Sequence, residues 1–462
     1  MPSQQIDSTR IQRLNDQPES RGQYVLYWMQ AAQRAEHNPA LEHAVRRANA
    51  LGLPVVVAFG LMADYPDANR RHYAFMLEGL VETQAALTRR GIQMVVRYGR
   101  PDHVALALSD QAALLVADAG YLRHQKHWRE QVAVKAPCAV DQVEGEVVVP
   151  VEVASQKAEF AARTIRPKLH RHLDHYLIEL KPTPLKNTSL NMKFQGKSLS
   201  DVTRVLDELE LDHAVPAVTQ YKGGPGEAKR VLRRFLNRHL EHYKANRNRP
   251  ETDDVSRMSQ YLHFGQISPV QLAVKVKNAT AANDNREAYV EELIVRRELA
   301  CNYVHFTPHY DQYSALPDWA RQTLHAHRKD QRPARYSLKQ LEAAATDDPY
   351  WNAAMREMVT TGYMHNYMRM YWGKKLLEWS ATPEAGFNTT LYLNNKYFID
   401  GRDPNSFANV GWVFGLHDRP WQERAVFGKV RYMNANGLRR KCDIEGYIEK
   451  VNALARAEGY SV

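Results

Sequence analysis

The hydrophobic pattern of this chain changes its period once, near residue 220, and that change limits the folds open to it. Before this point, apolar runs of five to seven residues alternate with helix-like stretches; the runs are 24–29, 53–59, 92–97, 113–118 and 139–143, with 146–150 following. After it, the pattern is mostly helical, as in EAKRVLRRFLNRHLEHY from residue 227. Short valine-rich runs separated by helices indicate βαβ units on a parallel sheet. We therefore predict an α/β, Rossmann-like N-terminal domain and an all-α C-terminal domain.

Local composition gives the boundaries of these parts. The length of 462 residues fits two or three domains at roughly 100–200 residues each. KPTPLKNTSLNMKFQGKS and YKGGPGE are rich in proline, glycine and lysine, which is typical of connectors. We predict a loose polar arm over 1–22, the α/β domain over 23–180, a linker over 181–226 and the helical domain over 227–462.

Charge is distributed unevenly between the two halves. The chain carries a net charge of +10, with +1 in residues 1–220 and +9 in residues 221–462, and six of its eight tryptophans lie at or after Trp319. A basic, aromatic-rich half is what a DNA-binding surface requires. A solvated lysine and arginine surface would give the same count, so charge alone leaves both interpretations open.

Composition also excludes several classes of protein. The three cysteines are far apart, which argues against a disulfide framework or a cysteine-based metal site and fits a cytoplasmic protein. No apolar run reaches the ~18–20 residues of a membrane helix, and the N-terminal segment lacks the apolar centre of a signal peptide. The glycine motifs of dinucleotide-binding and P-loop proteins are absent from the sequence.

Four segments of the helical half concentrate residues able to carry chemistry; they are SRMSQYLHFGQISP (256–269), EELIVRRELACNYVHF (291–306), YMHNYMRMYWGKKLLEWS (363–380) and 391–418. The first would place backbone N–H groups and hydroxyls at a helix start, which is either a phosphate seat or an ordinary cap. The second places Glu298 on a helix, where a carboxylate would usually pair with Arg296 or Arg297.

The other two segments carry polar residues and tryptophans. Asn366, Arg369 and Met370 share one side of a helix, and Trp372 and Trp379 are seven residues apart, about 10.5 Å of helical rise. Such a stripe is either core or a cofactor wall. In the fourth segment, Asn394, Asp400 and Asp403 lie in turn-rich sequence rather than a continuous helix, and its run DGRDPN indicates a loop of the kind on which sites are built.

These motifs together resemble a known family. SQKAEFAARTIRPKL (155–169), the four segments above, GLHDRPWQER and GKVRYM occur in the order found in the cryptochrome/photolyase family, and more narrowly in class II cyclobutane pyrimidine dimer DNA photolyases. The resemblance covers nearly the whole chain from Tyr24. It implies the photolyase fold, with an antenna domain followed by a helical domain that binds FAD.

The resemblance also implies a reaction and its partners. The reduced anionic flavin would absorb blue or near-ultraviolet light and give one electron to a pyrimidine dimer flipped out of DNA, splitting it without a metal. The electron would then return, so the cofactor carries the chemistry while the protein positions and tunes it. A monomeric enzyme located wherever the DNA of the organism lies, in the cytoplasm or the nucleus, is expected. A second chromophore, such as a deazaflavin, is a further implication for the N-terminal domain.

Residue roles follow from matching positions to the family motifs. The residues matched to FAD binding are Tyr243, Ser256, Arg257, Met258, Ser259, Arg369, Asp400 and Asn394. Those matched to the lesion are Glu298, Asn366, Met370 and Trp412, with Asn394 beside flavin N5. The matched electron path is Trp379, Trp372 and Trp351, from inner to outer. The DNA-binding candidates are Arg419, Arg424, Lys429, Arg431, Arg439, Arg440 and Lys441.

The sequence departs from the family in one respect and leaves alternatives. Some family members have a second tryptophan one turn after the matching glutamate, whereas this chain has Asn302 four residues after Glu298. The alternatives are a cryptochrome-like blue-light photoreceptor, an enzyme acting on the (6-4) photoproduct, and a light-inactive FAD or nucleic-acid-binding module. The presence of the lesion-pocket residues favours dimer repair.

Overall fold

A six-stranded sheet forms the N-terminal part of the protein in a computed structural model that describes residues 6–460. The strands are β1 (Ile11–Arg13), β2 (Tyr24–Trp28), β3 (Val55–Leu61), β4 (Gln93–Tyr98), β5 (Ala112–Asp118) and β6 (Ala139–Val143). Their order is β1-β6-β5-β2-β3-β4, and all neighbours are parallel except β1 and β6. Strands β2, β3 and β5 are buried throughout, which explains their continuous apolar sequence.

Helices cover the sheet and continue through the connector. They are α1 (Pro39–Leu51), α2 (Arg70–Arg89), α3 (Pro101–Ser109), α4 (Arg123–Lys135), α5 (Val151–Ala154), α6 (Ala162–His170), α7 (Leu173–Tyr176) and α8 (Val202–Glu208). Helix α1 shows how sequence sets the ends: Asn38 caps its first turn, Pro39 begins it, and Gly52 ends it at a φ of 69°.

The C-terminal part is helical, as predicted. Its helices are α9 (Pro225–Arg238), α10 (Tyr243–Asn246), α11 (Ser259–His263), α12 (Pro269–Lys277), α13 (Asn283–Val290), α14 (Arg297–Phe306), α15 (Asp318–Ala326), α16 (Leu338–Glu342), α17 (Pro349–Thr361), α18 (Asn366–Trp379), α19 (Pro383–Tyr397), α20 (Pro404–Val413), α21 (Ala435–Lys441) and α22 (Ile444–Ala457). A π-helical turn, Glu291–Arg296, joins α13 to α14. Short 3₁₀ turns lie at Ser8–Arg10, Leu240–His242 and Tyr313–Ala315.

Two local predictions differ from the structure. Residues 1–5 of the predicted loose arm lie outside the described residues, but Ile11–Arg13 forms the edge strand β1, paired with Asp141–Val143. The run 146–150 forms no strand. Its apolar side chains are buried instead because this segment passes between the two parts of the protein.

Buried charges hold that segment in place. Arg10 donates to the carbonyls of Glu144, Val147 and Val148, with N···O distances of 3.0, 3.2 and 2.5 Å. From the helical part, Glu298 accepts from the backbone N–H groups of Val148 and Val149 at 2.5 and 3.3 Å. These bonds satisfy backbone groups that neither a strand nor a helix would satisfy here.

Three more arginines lie where the two parts meet. Arg34 pairs with Glu146 at 2.7 Å, and Arg297 donates to the Glu146 carbonyl at 2.6 Å. Arg71 of α2 donates to carbonyls at the end of α17 and to the Tyr397 carbonyl of α19. A cation at the C-terminal end of a helix is favourable because the unpaired carbonyls there carry partial negative charge.

Within residues 6–460, no helix has both the length and the apolar character needed to cross a membrane.

The environment of Glu298 predicts a specific stability defect. Replacing Glu298 with alanine leaves two buried N–H groups unpaired and a cavity, so we expect a loss of about 3–5 kcal/mol in the free energy of unfolding. Thermal or urea unfolding of purified protein measures it. An alanine variant with an unchanged midpoint would contradict this structural role.

The pH dependence of the same site gives a second readout. Burial raises the pKa of Glu298 to about 8, although the two N–H groups favour its ionised form. A carboxyl whose pKa is higher in the folded state than in the unfolded state stabilises the folded protein most at low pH. This contribution is lost as the pH rises towards 8. The wild-type melting temperature should therefore fall relative to that of Glu298→Gln between pH 5 and 8.

Candidate functional site

A bidentate ion pair marks the centre of the helical part. Arg369 of α18 donates to both carboxylate oxygens of Asp400 at 3.0 Å each, and both side chains are mostly buried. The guanidinium lies 3.8 Å from the Phe398 ring centroid and 5.8 Å from that of Tyr363. This planar cation, fixed by its partner and two rings, can stabilise negative charge on a neighbouring group.

Arg257 lies on the same tyrosine. Its guanidinium is 5.1 Å from the Tyr363 centroid, and it donates to Asp253 at 2.7 Å and to the Tyr221 hydroxyl. Arg257 adopts a left-handed φ of 54° just before α11, a conformation that is uncommon for a residue with a side chain. The structure thus brings Arg257 and Arg369 to one ring from distant parts of the chain.

Three other predicted cofactor residues, Ser256, Ser259 and Met258, differ in their contacts and exposure. Ser256 is close enough to Tyr289 to hydrogen-bond with it, and Tyr289 packs 5.2 Å from Tyr243. Ser259 is exposed. Met258 is buried and its carbonyl accepts from Leu262, so its contribution is to the start of α11.

An unpaired buried nitrogen supports a ligand between the two arginines. His365 accepts from the Tyr367 N–H through Nδ1, which leaves Nε2 to carry the proton, and that nitrogen is buried with no hydrogen-bond partner among residues 6–460. Burial, followed by the charge of Lys450 and of both arginines, lowers the pKa of His365 to about 3, so the ring is neutral. A neutral N–H donor beside two cations fits a polyanionic cofactor such as FAD.

Asn394 lies in the last turn of α19, not in a loop as its sequence context indicated. Its amide nitrogen donates to Asn395 at 3.0 Å, and the side chain is 5% exposed. The predicted loop begins only after Tyr397. In it, a Cβ added to Gly401 would lie 2.9 Å from the Asn394 carbonyl oxygen, which is too close. The tight turn there brings Asp400 back towards α18.

Glu298 is not brought together with the other predicted lesion residues. Both its oxygens are used by the 148–149 backbone, and the side chain is 2% exposed. A second carboxylate in the same motif, Glu292, lies in the π-helical turn beside Tyr243 and pairs with Arg247 at 2.8 Å while remaining 31% exposed. Because π-turns often occur at functional sites, Glu292 is the better-placed carboxylate.

The three predicted electron-path tryptophans are together, but in a different spatial order. Trp351 packs 5.4 Å from Trp379 and donates through Nε1 to the Trp372 carbonyl at 3.1 Å, so it lies between them. Trp372 contacts Phe398, the ring beneath Arg369. The order from the ion pair outwards is therefore Trp372, Trp351, Trp379. Trp372 and Trp379 are seven residues apart on one helix, and Trp351 lies between them.

A partly exposed tyrosine extends this row. Tyr336 packs edge-on against Trp379 with a centroid distance of 4.8 Å, and its hydroxyl donates to Asp347. The row thus runs from the buried ion pair towards solvent.

The remaining lesion candidates lie on a surface formed by α18 and α20, which we call the α18–α20 groove. Asn366, Met370 and Lys374 follow one another at four-residue spacing, and the Lys374 ammonium lies 5.0 Å from the Trp412 ring on α20. Asn366 is exposed, while Met370 and Trp412 are half-buried. A planar ligand could therefore reach Trp412 from solvent.

Several predicted DNA-binding cations border this groove. Arg431 lies 5.6 Å from Trp412 and 4.4 Å from the exposed Trp421, and Arg419 lies 5.2 Å from Trp421. Lys441 lies 4.5 Å from the Tyr367 ring, next to Asn366. Stacked rings and cations of this kind suit the bases and phosphates of a nucleic acid.

The other predicted cations lie further along the surface. Arg424 stacks on Tyr432, and its backbone forms an isolated β-bridge with Gly428. The next residue, Lys429, is exposed. Arg439 donates to the Tyr350 hydroxyl at 2.6 Å, whereas Arg440 is exposed on the same helix. Arg439 is thus turned towards α17 rather than the groove.

A separate cavity of about 150 Å³ opens at the carboxyl ends of β2, β3 and β5. Its wall combines strand-end residues with Tyr65, Trp128, Glu146 and Arg402. Parallel sheets bind ligands where neighbouring strands have connections running in opposite directions, and β2 lies at that position here.

Sequence reasoning missed Glu292, Lys374, Trp421 and Tyr336. Glu292 stood in the same motif as Glu298, but spacing alone could not show which carboxylate the domain contact would use. Trp421 offered a signal, since a tryptophan between proline and charged residues in a loop is commonly exposed. Lys374 and Tyr336 gave none, because their neighbours come from distant segments.

Comparison with known proteins agrees with this architecture. Residues 25–187 match the family model described as DNA photolyase. The chain is 47% identical over 450 residues to a deoxyribodipyrimidine photo-lyase of Methanothermobacter thermautotrophicus, covering 97% of this chain and 99% of that protein. A protein of the same name from Potorous tridactylus is 37% identical, over 94% of this chain and 82% of that protein.

Solved structures confirm the predicted fold. A class III photolyase from Agrobacterium tumefaciens superposes with a TM-score of 0.74 at 17% identity, covering 96% of this chain and 93% of that one. A Synechocystis cryptochrome gives 0.71 at 15% identity, covering 95% and 94%. With near-complete coverage of relatives well above 30% identity, the chain belongs to the DNA photolyase family.

Proposed function

We propose that this protein is a class II photolyase that uses light to split cyclobutane pyrimidine dimers in DNA. The observation that carries the proposal is that helix α18 holds Arg369 of the buried ion pair one residue before Met370, beside the surface where Trp412 and Arg431 lie. Proteins similar along their whole length are named deoxyribodipyrimidine photo-lyase.

The cofactor site would be filled by FAD. When bound and reduced, FAD supplies a light-driven electron to the lesion. Arg257 and the His365 N–H would hold its anionic and acceptor oxygens, and Arg369 would favour the negatively charged form of the ring. Asn394 offers an amide that can donate or accept, so it can serve more than one charge state of a neighbouring nitrogen.

The lesion would occupy the groove. A flipped dimer stacked on Trp412 would lie beside Asn366 and Met370, and Arg431 would hold a phosphate next to it. Glu292 replaces Glu298 in our assignment of the carboxyl that contacts the dimer, because Glu292 is accessible while Glu298 is committed to the backbone. The flipping cost of a few kcal/mol is lower for a dimer, which pairs badly.

We further propose that the strand-end cavity holds a light-harvesting chromophore such as a deazaflavin. Its wall contains aromatic rings for a planar ligand, and Glu146, itself paired with Arg34, and Arg402 for polar groups. An archaeal photolyase from Sulfolobus tokodaii, similar in fold, is described with two FAD molecules and the implication of a novel light-harvesting cofactor. The cavity is smaller than the 300–1,000 Å³ typical of ligand pockets, so side chains such as Tyr65 would have to rotate.

Light-dependent repair is the decisive test. We expect purified protein to contain noncovalent FAD and to restore thymine dimers in an oligonucleotide only under blue or near-ultraviolet light, assayed by loss of the dimer. An oligonucleotide with a (6-4) photoproduct is the control and should remain unrepaired. FAD without any light-driven repair would favour a photoreceptor, and the absorption spectrum of the same sample shows any second chromophore.

The spatial order of the tryptophans predicts graded effects on photoreduction. Trp372→Phe and Trp351→Phe should each abolish photoreduction of oxidised flavin, because each interrupts the row near the cofactor. Trp379→Phe should leave a partial, short-lived signal. Transient absorption measures all three, with Trp319→Phe as the matched control outside the row.

Repair by chemically reduced enzyme should survive in each of these variants. If Trp379→Phe alone abolished the first electron transfer while Trp372→Phe spared it, the order read from the structure would be wrong.

The reassigned carboxylate gives a third prediction. Glu292→Gln should lower the repair yield about tenfold or more, the effect of losing a hydrogen bond that involves a charged group, and retain FAD. Glu287→Gln, one turn earlier and exposed, is the control. Glu298→Gln should affect stability more than the repair yield; the opposite ranking of the two carboxylates would restore Glu298 as the lesion contact.

A further inference from the structure

An exposed aromatic side chain lies on a firmly held loop outside the predicted DNA-binding set. Phe160 is 47% exposed on the segment 155–161, which joins α5 to α6. Exposed single aromatics are common and need no explanation by themselves. This loop is distinguished by what anchors it and by what lies around it.

Buried polar groups fix the loop backbone on both sides of Phe160. Asn302, buried in α14, accepts from the Glu159 N–H at 2.7 Å and donates to the Lys157 carbonyl at 3.0 Å. His417 donates through Nδ1 to the Phe160 carbonyl at 2.9 Å, and burial lowers the pKa of His417 to about 4, so the ring is neutral. Asn302, the residue that departs from the family pattern, thus has a role in holding this loop.

These anchors place Phe160 beside the candidate lesion groove. His417 belongs to the turn that follows Trp412, and it packs 5.6 Å from Tyr303 of α14. Arg296, at the end of the turn that carries Glu292, is near enough to His417 to act on its charge. The loop therefore lies where the segment after Trp412 meets the segment after Glu292.

Exposed positive charge lies near the ring. Arg163 lies 5.9 Å from the Phe160 centroid, within cation–π distance, and is exposed, as is Lys157. Arg296, whose side chain is 53% exposed, pairs with Glu291 at 3.3 Å. An aromatic ring with exposed cations around it, next to a groove of the same composition, fits single-stranded or distorted DNA better than it fits an acidic protein surface, since bases stack on rings while phosphates pair with arginines.

We infer that segment 156–163 is a second DNA contact, in which Phe160 stacks on a nucleotide adjacent to the flipped lesion and Arg163 contacts a phosphate. The inference rests on the proposed function, because the lesion in the groove determines where the flanking strand passes. It assigns a DNA contact to the half of the chain whose net charge is only +1.

The test compares DNA affinities at fixed salt. Phe160→Ala should weaken binding of a dimer-containing oligonucleotide about tenfold, and Phe160→Tyr, which keeps the ring, should bind within twofold of wild type. Val134→Ala, which truncates an 81%-exposed side chain on α4, is the matched control. Fluorescence anisotropy measures the dissociation constants; FAD absorbance and melting temperature report the integrity of each variant.

A second variant addresses the phosphate contact. Arg163→Gln should reduce the slope of log affinity against log salt by about one, and it decides the question if Phe160→Ala fails to fold. Repair at saturating DNA should be unchanged in both variants, because neither residue reaches the lesion itself.

The outcomes separate the two proposals. Unchanged affinity in Phe160→Ala together with an unchanged salt slope in Arg163→Gln overturns the loop contact while leaving repair intact. Wild-type protein that binds damaged DNA without light-driven repair overturns the proposed function instead.

Discussion

The segment between Glu144 and Pro150 is the constraint on which the rest of the structure depends. It leaves the sheet as irregular backbone and passes between the two parts, where water cannot satisfy its peptide groups. Arg10 from one side and Glu298 from the other supply the missing partners. Removing either residue leaves buried backbone groups unpaired, at a cost of about 1–3 kcal/mol for each group, a sizeable part of the stability of a domain. The contact therefore fixes the strand-end cavity and the turn that carries Glu292 relative to each other.

Different faces of helix α18 contact different parts of the proposed site. Arg369 faces Asp400, Asn366 and Met370 border the groove, and the tryptophans at 372 and 379 face Trp351. One rigid element thus borders the proposed cofactor site, the proposed lesion groove and the proposed electron path. Because a helix holds its side chains at fixed angles, the distances among these three functions change little when loops move.

How far the sequence predicts this arrangement depends on the range of the interactions involved. Five strands, the helical C-terminal part and the Arg369–Asp400 pair follow from local periodicity and motif matching. The strand β1 does not, because three residues with a polar pattern form it only by pairing with β6. Likewise, Glu292 and Glu298 are equivalent in the sequence until the 148–149 backbone engages one of them. The order of the tryptophans differs for the same reason, since matching to the family motifs placed Trp351 outermost while packing places it between the other two.

Electrostatics explains why tryptophans in one domain can have opposite roles, with electron loss disfavoured at one of them and favoured at others. Trp412 lies between the Lys374 ammonium and the Arg431 guanidinium, so loss of an electron from this ring is disfavoured. Burial lowers the pKa of Lys374 to about 7, which makes part of this effect dependent on pH near neutrality, while the arginine keeps its charge. Trp379 also has a lysine 5.5 Å away, but Lys375 is paired with Glu378 at 2.7 Å, which offsets its charge. The same two cations that protect Trp412 from oxidation would stabilise negative charge on a ligand stacked against it. In the proposed mechanism, electron loss is thus directed to the buried row, and electron gain to the groove.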